Sequence, residues 1–376
     1  MRRLLVLLLA MLPLLTGCWD QYAIEQLGFV TEILVDGEPG HLKVLYRVVV
    51  PSKLPSSTNP GSPGNSTTVT STGRDLCEAT RRANLSSSKT LYMGQMQALL
   101  LSERYARAGG AQGALDFIVR GIRTRNIAWV FIVPDHQVDA VMSVIPANAG
   151  YPAEALTDMS LNERREGRVP PIRVFQAIND IMSPGRDPAI PMLLAGPTGY
   201  RFKGTALFQR GRIVGTLDDD ESTALGMLTQ RVQQPILTIP CNANGTVSAL
   251  VWQPYRRLSA AVRHGRLEGL TIHVHGVLHI SGASLCPVDF ADRHTGQTLR
   301  TAAASLIVHH SEDVLRRMQE LHSDPLGFGD VVRATSPAVW SAIAPNWHEV
   351  FAKLPIRVEV RLLPDGSGLL NGTITG

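Results

Sequence analysis

The sequence predicts an α+β protein of more than one domain, with mostly antiparallel sheets and packed helices. Three observations indicate this class. Strand-like segments occur in pairs joined by short turns, helical segments form long separate runs, and no repeat of fixed period interrupts them. With 376 residues, the chain has room for two or three hydrophobic cores.

Residues 1–17 have the layout of a bacterial signal peptide. Two arginines give a positive start, and the apolar stretch over residues 4–15 is too short to span a bilayer. The next motif, Leu-Thr-Gly-Cys, ends at Cys18 and resembles a lipobox, in which the cysteine thiol accepts diacylglycerol. We therefore expect lipid attachment at Cys18, because two or three acyl chains hold a protein stably to a membrane. The alternative is an ordinary cleaved signal peptide followed by a chance cysteine.

Residues 18–197 are predicted to form an N-terminal domain. A run of Pro, Ser, Asn, Gly and Thr predicts a flexible loop over 51–73, and four prolines mark 183–200 as a linker. The remaining elements follow hydrophobic periodicity and capping residues. They are a short helix and strands over 20–50, a helix, strand and helix over 74–108, a helix over 113–124, a buried strand over 128–133, a short helix over 137–144 and a helix over 174–182.

Residues 198–376 are predicted to form a C-terminal region, with a division into 198–268 and 269–376 as an option. A hairpin is expected to turn at Arg210-Gly211, and the acidic run 218–221 is expected to cap a helix that reaches residue 230. The other elements are strands over 236–239, 246–252 and 270–280, a long helix over 297–322 and a half-exposed antiparallel strand over 356–362.

Composition excludes two classes of protein. A net charge of +4, without a dense Lys/Arg block, argues against a nucleic-acid-binding protein. After the N-terminal stretch, no run of about 18 uncharged apolar residues occurs, so we expect no spanning helix in the rest of the chain.

The remaining cysteines are Cys77, Cys241 and Cys286, and none forms a C-x-x-C pair. A zinc or redox site is therefore not expected. Isolated buried thiols are the favoured interpretation, because small apolar thiols pack well. A disulfide between Cys241 and Cys286 outside the cell is the alternative.

Histidines at 273, 275 and 279 share one face of the strand 270–280. Such side chains point in parallel about 7 Å apart, which does not suit a zinc ion, so solvent-facing histidines are favoured over a metal site. The pair His348-Glu349 begins an H-E-x-x-H pattern, but Ala352 replaces the second histidine. No hydrolase, phosphate-binding or dinucleotide-binding motif occurs, so we expect no catalytic residues, metal or cofactor.

The segment 324–347 concentrates aromatic residues around a predicted turn. Asp324 and Pro325 are expected to end the long helix, and flanking glycines let the backbone turn at Phe328. Trp340 and Trp347 are seven residues apart, so they share a helix face unless Pro345 breaks the helix. Core packing is the favoured interpretation. The alternative is that Phe328, Trp340 and Trp347 contact a partner subunit, because Trp is enriched at interfaces.

Taken together, several motifs resemble the Ger(x)C family, the C-subunit lipoproteins of bacterial spore germinant receptors. In the N-terminal half they are Gly17-Cys18-Trp19-Asp20, the segment Ser88-Lys89-Thr90-Leu91-Tyr92-Met93-Gly94-Gln95, in which Gln95 replaces an expected His, and the step from Arg123 to Asn126. In the C-terminal half they are Ala206-Leu207-Phe208, Gly215, Glu221, Asp324-Pro325-Leu326-Gly327-Phe328-Gly329, Pro337, Trp340, Trp347 and Phe351.

This resemblance covers nearly the whole chain after residue 17, and its order and spacing are more specific than any one motif. It implies three small α+β domains and a non-catalytic subunit of a nutrient germinant receptor. The implied partners are the A-type and B-type membrane subunits, at the inner membrane of the dormant spore. The alternative function is a lipid-anchored solute-binding protein that delivers a small molecule to a transporter. Such a protein would show βαβ units around a hinge, whereas the predicted strands form hairpins. A lipid-anchored envelope hydrolase is a weaker alternative, because no nucleophile or metal constellation is visible.

Overall fold

A nine-stranded mixed sheet, the N-terminal sheet, organises the first part of the molecule. The computed structural model describes residues 23–49, 66–121, 124, 126–146, 149–242, 244–286 and 292–364. The strand order is β3-β2-β1-β5-β6-β7-β8-β9, with β4 paired to β1. The strands are β1 Leu27–Glu38, β2 His41–Val49, β3 Ser66–Gly73, β4 Thr90–Tyr92, β5 Ala98–Ser102, β6 Trp129–Val133, β7 Ala189–Gly196, β8 Gly199–Gln209 and β9 Arg212–Leu217.

The centre of this sheet is parallel and covered on both faces. β5 and β6 pair in parallel, and every one of their residues is buried. Successive side chains point to opposite faces, so Leu99 and Leu100 enter two different cores. The helices α1 Leu76–Ser86, α3 Ala111–Arg120 and α6 Val174–Met182 contribute to the core that holds Leu99. The helices α4 Val138–Met142 and α5 Pro152–Glu166 contribute to the core that holds Leu100, and α2 is Glu103–Arg107.

A four-stranded sheet, the C-terminal sheet, organises the second part, in the order β10-β11-β12-β13. β11 and β12 form one long hairpin that turns at His264 and Gly265, both with positive φ, as a tight two-residue turn requires. The strands are β10 Ile236–Pro240, β11 Thr246–Arg263, β12 Arg266–Ser284 and β13 Ile356–Pro364. The helices are α7 Asp219–Leu228, α8 Arg293–Glu320, α9 Phe328–Thr335, α10 Pro337–Ile343 and α11 Trp347–Phe351.

The structure confirms the α+β class with mostly antiparallel sheets and packed helices, and it adds several parallel pairings. In the described residues six strand pairings are antiparallel and five are parallel. One of the parallel pairs joins β12 to β13, so the prediction of an antiparallel strand over 356–362 was wrong. Periodicity reports which face of a strand is buried and does not report the direction of its partner.

Two segments predicted to lack regular structure contain strands. Residues 66–73, the end of the predicted loop 51–73, form the edge strand β3, since alternating Thr residues suit a half-exposed strand. The predicted linker 183–200 contains β7, whose ladder pairing with β6 in the described residues is limited to Ile132 and Met192. Pro191 lies next to an irregularity in the pairing of β7 with β8, which is a kind of position where proline occurs within sheets.

Two further predictions need correction. Helix α5 was missed. A boundary between residues 268 and 269 would cut strand β12, so the C-terminal sheet does not divide there. The proposed boundary at 197/198 lies in the turn between the paired strands β7 and β8, and the division into domains stays a prediction.

Several local predictions are confirmed. The hairpin β8–β9 turns at Arg210 and Gly211, with φ of 48° and 76°. Asp218 caps α7 by accepting the backbone N–H of Glu221 at 2.8 Å, which completes a capping box. The predicted signal peptide, Cys18, residues 51–65 and Arg123 lie outside the described residues. Within the described residues, no helix is both long and apolar enough to cross a membrane.

Candidate functional site

A buried aspartate organises the turn that follows the long helix α8. The side chain of Asp324 is fully buried and accepts the backbone N–H groups of Gly327 at 2.9 Å and Gly329 at 3.0 Å. The indole N–H of Trp347 donates to the same carboxylate at 3.2 Å. Gly327 has φ of +78°, a conformation that favours glycine, as the turn prediction required. The carboxylate therefore satisfies free N–H groups at the start of α9.

Asp187 links this turn to the N-terminal part of the chain. Its Oδ2 accepts the backbone N–H of Asp324 at 3.0 Å, and its backbone N–H donates to the Asp324 carbonyl at 3.0 Å. Nε2 of His348 lies 3.1 Å from the same Asp187 carboxylate. The Ser323 hydroxyl donates to the Phe208 carbonyl at 2.6 Å. These contacts join three distant segments of the chain. We call the residues Asp187, Ser323, Asp324, Trp347 and His348 the Asp324 cluster.

The electrostatics of the Asp324 cluster differ from those of an ion pair. Burial raises the pKa of the Asp324 carboxyl to about 6, and the neighbouring Asp187 charge acts in the same direction. Backbone N–H groups of Gly329, Phe328 and Gly327 oppose this rise by stabilising the charged form. The cluster thus holds a carboxyl group whose charge depends on pH close to neutrality.

The Asp187–His348 pair has the arrangement of the first two members of a catalytic triad. A triad also needs a nucleophile hydrogen-bonded to the histidine. No hydroxyl or thiol of the described residues is hydrogen-bonded to His348. The pair holds the start of α11 against the N-terminal part of the chain.

The candidate partner contacts Phe328, Trp340 and Trp347 are core residues, and their alternative assignment to an exposed interface was wrong. Their exposed fractions are 0%, 7% and 1%. The two indole rings lie 5.5 Å apart, and Phe351 packs 6.0 Å from Trp347. Pro345 lies in a short 3-10 turn between α10 and α11, so the two tryptophans meet across a break in the helix. Burial of these rings contributes hydrophobic stabilisation to the fold.

Two of the three histidines of β12 contact other side chains on the outer face of the C-terminal sheet. Nδ1 of His273 lies 3.0 Å from the carboxylate of Glu359, and His279 stacks on Trp252 with centroids 4.3 Å apart. His275 is exposed. In the described part of the chain, no group of three His, Cys, Asp or Glu residues is arranged to hold a metal ion.

The cysteines depart from the favoured interpretation. Cys241 and Cys286 form a disulfide that joins the end of β10 to the end of β12. Cys77 is a free, exposed cysteine on α1. The prediction of isolated buried thiols was therefore wrong, because the sequence does not show that β10 and β12 bring Cys241 and Cys286 within a Cα–Cα distance of 6.3 Å.

Sequence reasoning missed the partners of Asp324. Asp187 and His348 are 161 residues apart and meet only through the tertiary fold. The proline-rich composition around Asp187 indicated a linker, so the sequence did not identify Asp187 as a residue that makes tertiary contacts. The available signal in the sequence was an Asp followed by two closely spaced glycines. It identified Asp324 but neither Asp187 nor His348.

Two family matches cover most of the chain. Residues 20–195 match the family described as "Spore germination protein N-terminal domain". Residues 203–364 match the family described as "Spore germination B3/ GerAC like, C-terminal".

Curated relatives show the same likeness at full length. "Putative spore germination protein YfkR" of Bacillus subtilis (strain 168) is 23% identical, over 98% of this chain and 98% of the relative. "Spore germination protein KC" of the same organism is 22% identical, over 99% and 97% respectively. The solved structure titled "Crystal Structure of the GerBC protein" is similar with a TM-score of 0.54 and 16% identity, over 92% of this chain and all of that one. This structural likeness concerns the fold.

Proposed function

Because the chain belongs to the spore germination family defined by these N-terminal and C-terminal domains and has a role in spore germination, we propose that it is a lipid-anchored, non-catalytic subunit of a nutrient germinant receptor. The observation that carries the proposal is the succession of both family domains along one chain, directly after a lipobox-like motif. Relatives with the same full-length arrangement carry names of spore germination proteins.

The proposed anchor is a lipid on Cys18. The first matched residue, Asp20, follows this cysteine almost directly, so cleavage before Cys18 leaves the matched domains complete. Two or three acyl chains would confine the protein to the membrane surface. Confinement raises the local concentration of the chain near membrane-embedded subunits without any new protein contact.

The proposed mode of action is contact with the A-type and B-type receptor subunits. The polar groups of the Asp324 cluster are committed to internal hydrogen bonds, and Phe328, Trp340 and Trp347 to the core. Contacts with other subunits must therefore use exposed residues elsewhere on the molecule. Aromatic and Arg positions are the first to examine, because these types dominate interface hot spots.

A deletion strain tests the receptor role. We expect spores without this gene to lose the response to one set of nutrients while germination through a route independent of nutrient receptors continues. The measurement is germination across a nutrient panel. Intact germination combined with lost uptake of one solute in growing cells would instead support the solute-delivery alternative.

A point variant tests the anchor. We expect Cys18→Ala to give an uncleaved or released protein that incorporates no labelled fatty acid and fails to restore germination to the deletion strain. Cys77→Ala is the matched control, because it removes an exposed thiol without touching the lipobox-like motif. Continued fatty-acid incorporation by the Cys18→Ala protein would contradict lipid attachment at this residue.

A further inference from the structure

A cleft of about 460 Å³ lies between the two parts of the molecule, next to the turn after α8. Trp129 and α6 line one side, and Pro325 and Leu326 line another. This volume is within the usual range of about 300–1,000 Å³ for small-molecule sites. The cleft is also lined by five arginines: Arg164, Arg173, Arg186, Arg231 and Arg256.

The charges of the cleft are unbalanced. Against the five arginines, Asp180 is the only acidic residue among its described lining residues. The Asp180 carboxylate lies 2.7 Å from Arg231 and 3.5 Å from Arg186. Asp330, outside the lining, lies 3.3 Å from Arg186. One carboxylate shared between two guanidinium groups leaves a surplus of positive charge in a semi-enclosed space.

Arg256 is the clearest sign that the cleft lacks an anion. Its Nε is buried without a hydrogen-bond partner, although one terminal nitrogen donates to the Leu326 carbonyl at 3.3 Å. Among the described residues, no carboxylate lies within 4.0 Å of this guanidinium. Burial lowers the pKa of Arg256 to about 10. Repulsion from Arg186 and Arg231 contributes to the decrease, and the charge of Asp324 opposes it without offsetting it.

Two further arginines of the cleft, Arg173 and Arg186, add to its positive charge. The Arg173 guanidinium stacks 3.7 Å from the centroid of the Trp129 ring, which holds its planar face in place. Nε of Arg186 is also buried without a hydrogen bond, although the Asp330 carboxylate is nearby. Buried donors without partners are costly, so a structure that retains several of them in one cleft gains free energy when an acceptor enters.

We propose that this cleft binds a small molecule that carries a carboxylate or a phosphate group. Guanidinium groups match the planar or tetrahedral oxygens of these anions with paired N–H donors, and such charge-assisted hydrogen bonds are the strong ones. The ligand would accept hydrogen bonds from Arg256 and Arg186 and reduce the repulsion among the arginines. This site goes beyond the receptor role proposed above and does not depend on it.

Calorimetric titration of the full-length protein in detergent tests the proposal, with inorganic phosphate and succinate as separate probes at constant ionic strength. We expect saturable binding of at least one probe, and the pair distinguishes phosphate from carboxylate chemistry. We expect Arg256→Gln to weaken that binding by about tenfold or more, since it removes hydrogen bonds to a charged group. Arg316→Gln is the matched control, because Arg316 is 66% exposed on α8 and does not line the cleft, so the substitution removes the same charge outside the proposed site.

A second readout separates binding from folding. Without ligand, Arg256→Gln should be at least as stable to heat as the unmodified protein, because it relieves repulsion among partly buried cations. Arg164→Gln serves if Arg256→Gln does not fold, since Arg164 lines the same cleft but is exposed. We expect a smaller loss of affinity there. The proposal is overturned if neither probe binds saturably at millimolar concentration, or if binding is the same in Arg164→Gln, Arg256→Gln and the control.

Discussion

The N-terminal sheet is covered on both faces, whereas the C-terminal sheet is covered on one. In β5 and β6 every residue is buried, because helices cover both faces of the N-terminal sheet. In β12 buried and partly exposed residues alternate, because one face of the C-terminal sheet is open to solvent. The comparison teaches that sheets of the same chain can depend on different sources of stability.

Polar residues follow the same division. The N-terminal sheet buries Glu32, which pairs with Arg47 at 3.2 Å and accepts the Tyr200 hydroxyl at 3.2 Å. Burial raises the pKa of Glu32, while Arg47 and Tyr200 oppose the rise. The C-terminal sheet keeps the contact between His273 and Glu359 on its open face, where water also solvates both side chains. Two-sided burial therefore makes internal partners important for buried charged groups such as Glu32.

The largest expected effect is a cavity in the N-terminal sheet. Phe131 on β6 is fully buried and stacks on Phe202 with centroids 5.6 Å apart. We expect Phe131→Ala to lower the free energy of unfolding by about 3–5 kcal/mol, since the lost contacts leave a void. Urea denaturation of the purified protein measures this change.

Tyr255→Ala in the C-terminal sheet is the matched control. Tyr255 is 58% exposed, so its removal should change the free energy of unfolding by no more than about 0.5 kcal/mol. Equal losses in the two variants would show that the sheets do not differ in the way their burial indicates.

The sequence predicted the buried residues better in the C-terminal sheet, which has an open face, than in the N-terminal sheet, which is covered on both faces. Alternation at Ile272 and Val274 identified the buried face of β12, because one face alone is apolar. In β5, Leu99 and Leu100 are both buried, so alternation carries no information and the parallel partners could not be deduced. The Asp324 turn was foreseen from its glycines, whereas its contact with Asp187 depends on how distant segments pack.

The next effect concerns the covalent link in the C-terminal sheet. The disulfide between Cys241 and Cys286 closes a loop with a sequence separation of 45. We expect Cys241→Ser together with Cys286→Ser to lower the free energy of unfolding by about 2–4 kcal/mol, since the unfolded chain gains conformational entropy. Chemical denaturation with and without reductant measures the loss.

Cys77→Ser is the control, because this exposed cysteine has no disulfide partner in the described structure. Reductant should destabilise the unmodified protein and leave the double variant unchanged. If reductant changes neither protein, the link adds nothing to the stability of the C-terminal sheet, and α8 with its packed helices is sufficient.

The smallest expected effect is the pH dependence caused by Asp324, where the two parts of the molecule meet. Unlike Glu32, Asp324 has no cation hydrogen-bonded to its carboxylate in the described structure and relies on N–H donors. Its pKa of about 6 in the folded protein is above the ordinary value of 3.8, so the folded state holds the proton more tightly than the unfolded state. The resulting stability is fully present below pH 3.8 and is lost as the pH rises through 6.

Asp324→Asn cannot lose a proton, so the free energy of unfolding of the unmodified protein relative to this variant should fall by roughly 2 kcal/mol between pH 4 and pH 7. Urea denaturation of both proteins at several pH values measures the difference, from which titrations common to both cancel. A difference that is constant with pH would mean that the N–H donors of the turn fully offset the effect of burial on the pKa of Asp324.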